Sequence, residues 1–150
     1  MRYDTYRPIY ICTMTEEFDF EQYEISDWKK ALSHPCEKIK LSAIMKVPEY
    51  VSEETSVYLL TDLITHNEES LPVYSVIFEV LEDLIDSTET HSQYEMIEAT
   101  FALMKFNTDI SVNKLAQEFL SNFTTEFLDE YRSQTDMKDE TFNLFSNLLG

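Results

Sequence analysis

An all-α fold is predicted for this sequence, and three observations carry the prediction. Its 150 residues hold one glycine, Gly150, so Asn-Gly hairpin turns are absent and an all-β fold loses its usual corners. Ser, Asp and Pro residues recur as helix-opening signals along the chain. The apolar residues between them follow spacings of three and four rather than strict alternation. An apolar fraction of 43 %, with nine Tyr and ten Phe, supplies core enough for one domain without a metal or a disulfide.

The elements follow in order. Residues 1–25, with Tyr3, Tyr6, Tyr10, Phe18, Phe20 and Tyr23, form an irregular aromatic arm expected to pack over the end of the helical body. Residues 26–150 form that body as a single domain. Ser26 caps a short helix to Ser33, and Pro35 opens the next, closed by Pro48. Ser52, followed by Glu53 and Glu54, caps a helix to about residue 66, with Val57, Leu60 and Ile64 as its inner stripe. Ser70 with Pro72 opens a helix to about Asp86. Ser92-Gln93-Tyr94-Glu95 reads as a capping box for a helix ending near Phe106. Asp109 opens a helix to about Phe123, and two shorter helices follow over 125–133 and 138–149. The result is about four antiparallel helix pairs.

The first pair resembles a HEAT repeat. The stretch from Asp27-Trp28 through Leu32-Ser33-His34-Pro35 stands where that family ends an apolar helix in a short Asp-Pro-type turn. Ile39-Lys40 and Ala43 then hold the places of its aliphatic-basic pair and small residue. His34 replaces the usual Asp, and Lys40 replaces the commoner Arg. The resemblance implies a HEAT-like stack in which the second helix of each pair lines the concave side.

Several kinds of chemistry find no support. Without internal glycine there is no P-loop, dinucleotide fingerprint or nucleophile elbow. His34, His66 and His91 fall at helix ends or turns, with no HExxH or Glu-x-x-His spacing, so no catalytic residue, metal or cofactor is expected. Cys12 and Cys36 lack CxxC spacing and read as reduced thiols, which places the protein in the cytoplasm. No leader pattern or membrane span is evident.

Charge is the informative feature. The formal net charge is −18, which disfavours direct binding to nucleic acid or an anionic membrane. Between Lys46 and Lys105 lie 13 carboxylates and no Lys or Arg. On a helical wheel Val73, Val76, Ile77, Val80, Leu81 and Leu84 cover one side, and Ser75, Glu79, Glu82, Asp83 and Asp86 the other. Like charges at spacings of three and four cost about 0.2–0.5 kcal/mol per pair, so stability disfavours this stripe. With Glu68 and Glu69 it forms the expected partner-binding face; a merely solvated acidic surface is the competing account.

A small, acidic, all-α domain without an active site is similar to the bacterial immunity proteins that neutralise nuclease toxins. That similarity implies a basic partner, a toxin nuclease, held and blocked by carboxylates standing in for phosphates. The alternatives are a scaffold or regulatory subunit that uses the aromatic arm, and a nucleic-acid mimic. The sequence leaves the oligomeric state and the source open.

Overall fold

The computed structural model describes residues 23–135. The expected helix at 138–149 and nearly all of the aromatic arm lie outside them. Seven α-helices make up the described chain: α1 (Ile25–Leu32), α2 (Glu37–Tyr50), α3 (Glu53–His66), α4 (Leu71–Leu84), α5 (Thr90–Phe106), α6 (Ile110–Leu120) and α7 (Thr125–Thr135). A 3₁₀ turn, Ile85–Ser87, follows α4. No strand occurs among the described residues.

Local chemistry accounts for most boundaries. Ser52 Oγ accepts the Thr55 N–H at 3.1 Å, and Asp109 accepts the N–H groups of Ser111 (2.8 Å) and Val112 (3.4 Å). Both side chains satisfy donors that a helix start leaves without partners. At the α1–α2 turn, His34 Nδ1 accepts the Cys36 N–H at 2.9 Å. At the α5–α6 turn, Asn107 Oδ1 accepts the Asp109 N–H at 2.8 Å. The imidazole thus performs the turn-closing job usual for Asp or Asn.

Four expectations need correction. Helix α1 is capped by Glu24 rather than Ser26, and the Glu24 N–H donates to Asp27 at 3.0 Å. Pro48 lies inside the last turn of α2 instead of ending it; it removes one intrahelical donor where the ladder is already finishing. The box at Ser92 is not a helix start. Helix α5 begins two residues earlier with Glu89 as its N-cap, and Ser92 is buried. Cys36 is not a reduced thiol: it is disulfide-bonded and buried, and Cys12, outside the described residues, is the one other cysteine in the sequence. The cysteine-based reason for a cytoplasmic setting falls with that bond.

Packing follows the chain closely. α1 lies against α2, α3 against α4 and α5 against α6; α3 also packs on α5, α2 on α4, and α4 on α6. One continuous core runs through these contacts, with Trp28, Ile44, Leu60, Ile77, Leu81, Met96, Ile97 and Leu120 fully buried. Half-buried Tyr23 meets Trp28 edge-on at 5.2 Å between ring centroids. Helix α7 docks through rings: Tyr131 and Phe127 lie 5.2 and 5.4 Å from Tyr94.

Helix α4 is enclosed by α2, α3 and α6, which explains why its apolar surface is broader than the wheel suggests. Tyr74 and Phe78 are buried along with Val73, Ile77, Leu81 and Leu84. Its outward face is correspondingly narrow.

Candidate protein-binding faces

Six of the seven carboxylate-stripe residues are exposed: Glu68, Ser75, Glu79, Glu82, Asp83 and Asp86. Ser75, Glu79, Glu82 and Asp83 stand on the outward face of α4. Asp86 belongs to the 3₁₀ turn beyond the helix end, so only the 79–82 and 79–83 pairs keep α-helical spacing. Their repulsion costs about 0.4–1 kcal/mol, less than a helix continuous to residue 86 would imply. Glu82 accepts a hydrogen bond from Asn122 Nδ2 at 2.9 Å, which ties the stripe to the turn after α6. Among the described residues none of these five carboxylates is ion-paired.

Glu69 is turned inward and does not belong with them. Its side chain is 3 % exposed, and its Oε1 accepts Lys40 Nζ at 2.6 Å. Asn67 Nδ2 donates to Oε2 at 3.1 Å, and the Glu69 N–H donates to the Tyr74 hydroxyl at 3.2 Å. Next to it, Ser70 Oγ donates to Glu37 Oε1 at 2.6 Å. These bonds join the first turns of α2 to the loop that opens α4. Lys40 thus holds the loop between α3 and α4.

The flanks of the stripe are mixed in sign. Helix α2 presents Lys38 and Lys46, and α6 presents Lys114, all exposed. Two further helices of the cation-free stretch, α3 and α5, meet in a seam of their own, bordered by Lys29 of α1, whose Nζ donates to the Tyr58 hydroxyl at 3.1 Å. There Glu54, Tyr58, Asp62, Glu95 and Glu98 line a shallow groove with His66 and His91. Its floor is made of small side chains, Thr61, Thr65, Ala99 and Ala102. Thr61 Oγ1 donates to the Val57 carbonyl (2.8 Å) and Thr65 Oγ1 to the Thr61 carbonyl (2.8 Å), so both hydroxyls are satisfied within α3. This second acidic surface escaped the wheel of one helix; its signal was the run from residue 47 to 104, which contains both α3 and α5.

Histidines at helix ends behave as local partners. His66 in the last turn of α3 lies 2.9 Å from Asp62 Oδ1, and His91 at the start of α5 meets Glu54 of α3. Among the described residues no group of three or more His, Cys, Asp or Glu side chains is arranged to hold a metal ion. Nor is any of the described helices long and apolar enough to cross a membrane.

Within the groove, burial pushes the Glu95 carboxyl above its ordinary value; His91 opposes the shift, while Glu54 and Glu98 add to it. An acid with a raised folded-state pKa binds its proton more tightly when folded. Its contribution to stability is therefore complete below the unfolded pKa and is lost as pH rises through the folded one. Glu95→Gln should melt slightly higher than the parent at pH 7, with the difference vanishing at pH 4. Thermal scans of both proteins across that range check it, and a constant difference would assign the gain to packing instead.

No protein family, curated protein or solved structure matches the chain. Of the two acidic surfaces, the α4 face carries carboxylates that no cation among the described residues pairs, whereas in the α3–α5 groove His66, His91 and Lys29 stand against the acids.

Proposed function

We propose that this protein is a non-catalytic binding module that captures a basic protein partner on the outward acidic face of α4. One observation carries the reading: Glu79, Glu82 and Asp83 on α4, and Asp86 just beyond its end, are exposed and have no cationic partner among the described residues, on a helix packed against α2, α3 and α6. A rigid support lets carboxylates meet a basic cleft without first being ordered. Long-range attraction then speeds encounter, and close charge pairs add affinity.

The repetitive packing supports placing the module among HEAT-like helical stacks. Successive helices pair, α2, α4 and α6 follow one another on one side, and α3 and α5 on the other. Hydrogen bonds between the opening regions of α2 and α4 agree with a regular step from one pair to the next. The partner that fits best is a nuclease toxin whose substrate cleft is basic, as for an immunity protein acting by occlusion.

The experiment is inhibition of a basic nuclease domain encoded at the same locus, read as cleavage of labelled RNA or DNA. The parent should inhibit stoichiometrically, with an association rate that falls steeply between low and physiological salt. A variant carrying Glu79→Gln, Glu82→Gln, Asp83→Asn and Asp86→Asn should bind more than a hundredfold more weakly, because close interfacial charge pairs can each couple by about 1.5 kcal/mol or more. Its fold should be intact. Equal affinity of the two proteins, with association insensitive to salt, would reduce the face to a solvated surface.

A further inference from the structure

Charge alone seldom holds a complex together; most interfaces gain their affinity from an apolar side chain seated in a pocket. The acidic face of α4 has such a pocket beside it. Leu71, Pro72 and Ser75 at the start of α4 face Ser111, Lys114, Leu115 and Glu118 of α6 across a groove of about 380 Å³. Leu71 is 40 % exposed, an unusual state for a leucine beside a core, and Leu115 is only partly buried. Ser75 belongs to both the groove and the stripe, so the two surfaces are continuous.

The seam between α4 and α6 is polarised along its length. At its opening end the floor is apolar and Lys114 supplies a positive charge on the rim. Moving along the seam, Glu118 of α6 borders the groove, Glu79 stands one turn beyond Ser75 on α4, and Glu82 sits about 10 Å beyond Ser75, held by Asn122. The α4–α6 seam therefore has one apolar end and one anionic end. A bound segment with the opposite order of chemistry would favour one direction in it, because Lys114 repels a cation at the apolar end while Glu118, Glu79 and Glu82 attract one farther along.

We infer that the α4–α6 seam takes an amphipathic helical segment of the basic partner, with one large apolar side chain anchored between Leu71 and Leu115 and Lys or Arg residues facing Glu79 and Glu82. This rests on the reading of α4 as the binding face and adds what that reading lacks: an anchor and a direction. On the partner helix the basic residues should follow the anchor at spacings of three, four and seven, which match the rise along α4.

The probes are fluorescein-labelled helical peptides of about 16 residues, with one Phe at either end and three Arg at helical spacing. Matched peptides have the Phe replaced by Ser. Binding to the full chain is followed by anisotropy, and the site is read from amide shifts. The parent should prefer the Phe peptides at least tenfold, for one placement of Phe over the other, with shifts at Ser75, Ser111 and Leu115. Leu71→Gln with Leu115→Gln should abolish the preference. Because Leu115 touches the core, Ser75→Tyr provides a second variant that fills the groove from its exposed side, and it should do the same.

A Phe preference that survives Ser75→Tyr overturns the anchor, and so does a set of shifts confined to the Tyr58–Glu98 groove. If affinity then still falls with the neutralised stripe, the acidic-face reading stands without the anchor. Affinity lost in the groove variants but unchanged in the neutralised stripe overturns the basic character of the occupant and the acidic-face reading together. Sedimentation as a dimer, abolished by Ser75→Tyr, would give the groove to a second copy of this chain and overturn the assignment. No binding by any peptide also overturns it.

Discussion

Lys40→Met should lower the melting temperature by roughly 6–12 °C. Lys40 Nζ is the cation of a pair that is almost sealed, with its partner's side chain 3 % exposed. Removing the ammonium leaves the Glu69 carboxylate buried with Asn67 Nδ2 as its remaining side-chain donor. Breaking a buried pair from one side costs about 3–5 kcal/mol. Lys40 keeps 15 % exposure, which favours the lower end, and for a domain of this size each kcal/mol moves the midpoint by about 2–4 °C.

The opposite substitution should be milder. In Glu69→Gln the lysine can extend toward water while the amide still occupies the site, so about 1 kcal/mol is expected, the worth of an ordinary hydrogen bond. Combining Lys40→Met with Glu69→Leu should recover most of the loss, since an apolar replacement of both partners is often neutral. Urea titrations of the four proteins check the ordering. Equal losses in both single variants would mean the pair acts as two independent surface charges.

Reduction of the Cys36 disulfide, or Cys36→Ser, should cost about 3 kcal/mol while leaving the helical spectrum of the folded state in place. The stabilisation comes chiefly from the unfolded chain, in which a cross-link at Cys36 forbids many extended conformations. Melting with and without reductant measures it. Thiol titration of the native protein should find none reactive, and a second titration in denaturant should again find none until reductant is added. Two thiols titrating in denaturant without reductant would restore the reduced state that the spacing suggested, and with it the cytoplasmic argument.

The elements easiest to read were those whose signals are local. Ser52, Asp109 and Pro72 act within a turn of their own position, so a single pass along the chain recovers them. Ser92 misled because capping chemistry and small size look alike in a sequence; here the small side chain is needed in the core. Glu69 misled for a different reason. Its neighbour Glu68 is exposed and looks equivalent, while the lysine that distinguishes them lies on another helix, 29 residues away. The acidic face of α4 was legible because one helix carries it. The groove between α3 and α5 was not, since two helices separated by α4 in the chain must first be adjacent in space.

The order of packing has a consequence for how the molecule opens. The strongest helix contacts join elements one or two places apart in the chain, so forming each requires closure of only a short loop. Folding can therefore begin wherever two or three neighbours meet. Amide exchange should then be graded rather than uniform. Protection should be greatest at Leu60, Ile77 and Ile97 in α3, α4 and α5, and should decline toward α7, whose hold depends on a few rings around Tyr94. In such a chain the acidic face of α4 is carried by the last part to let go.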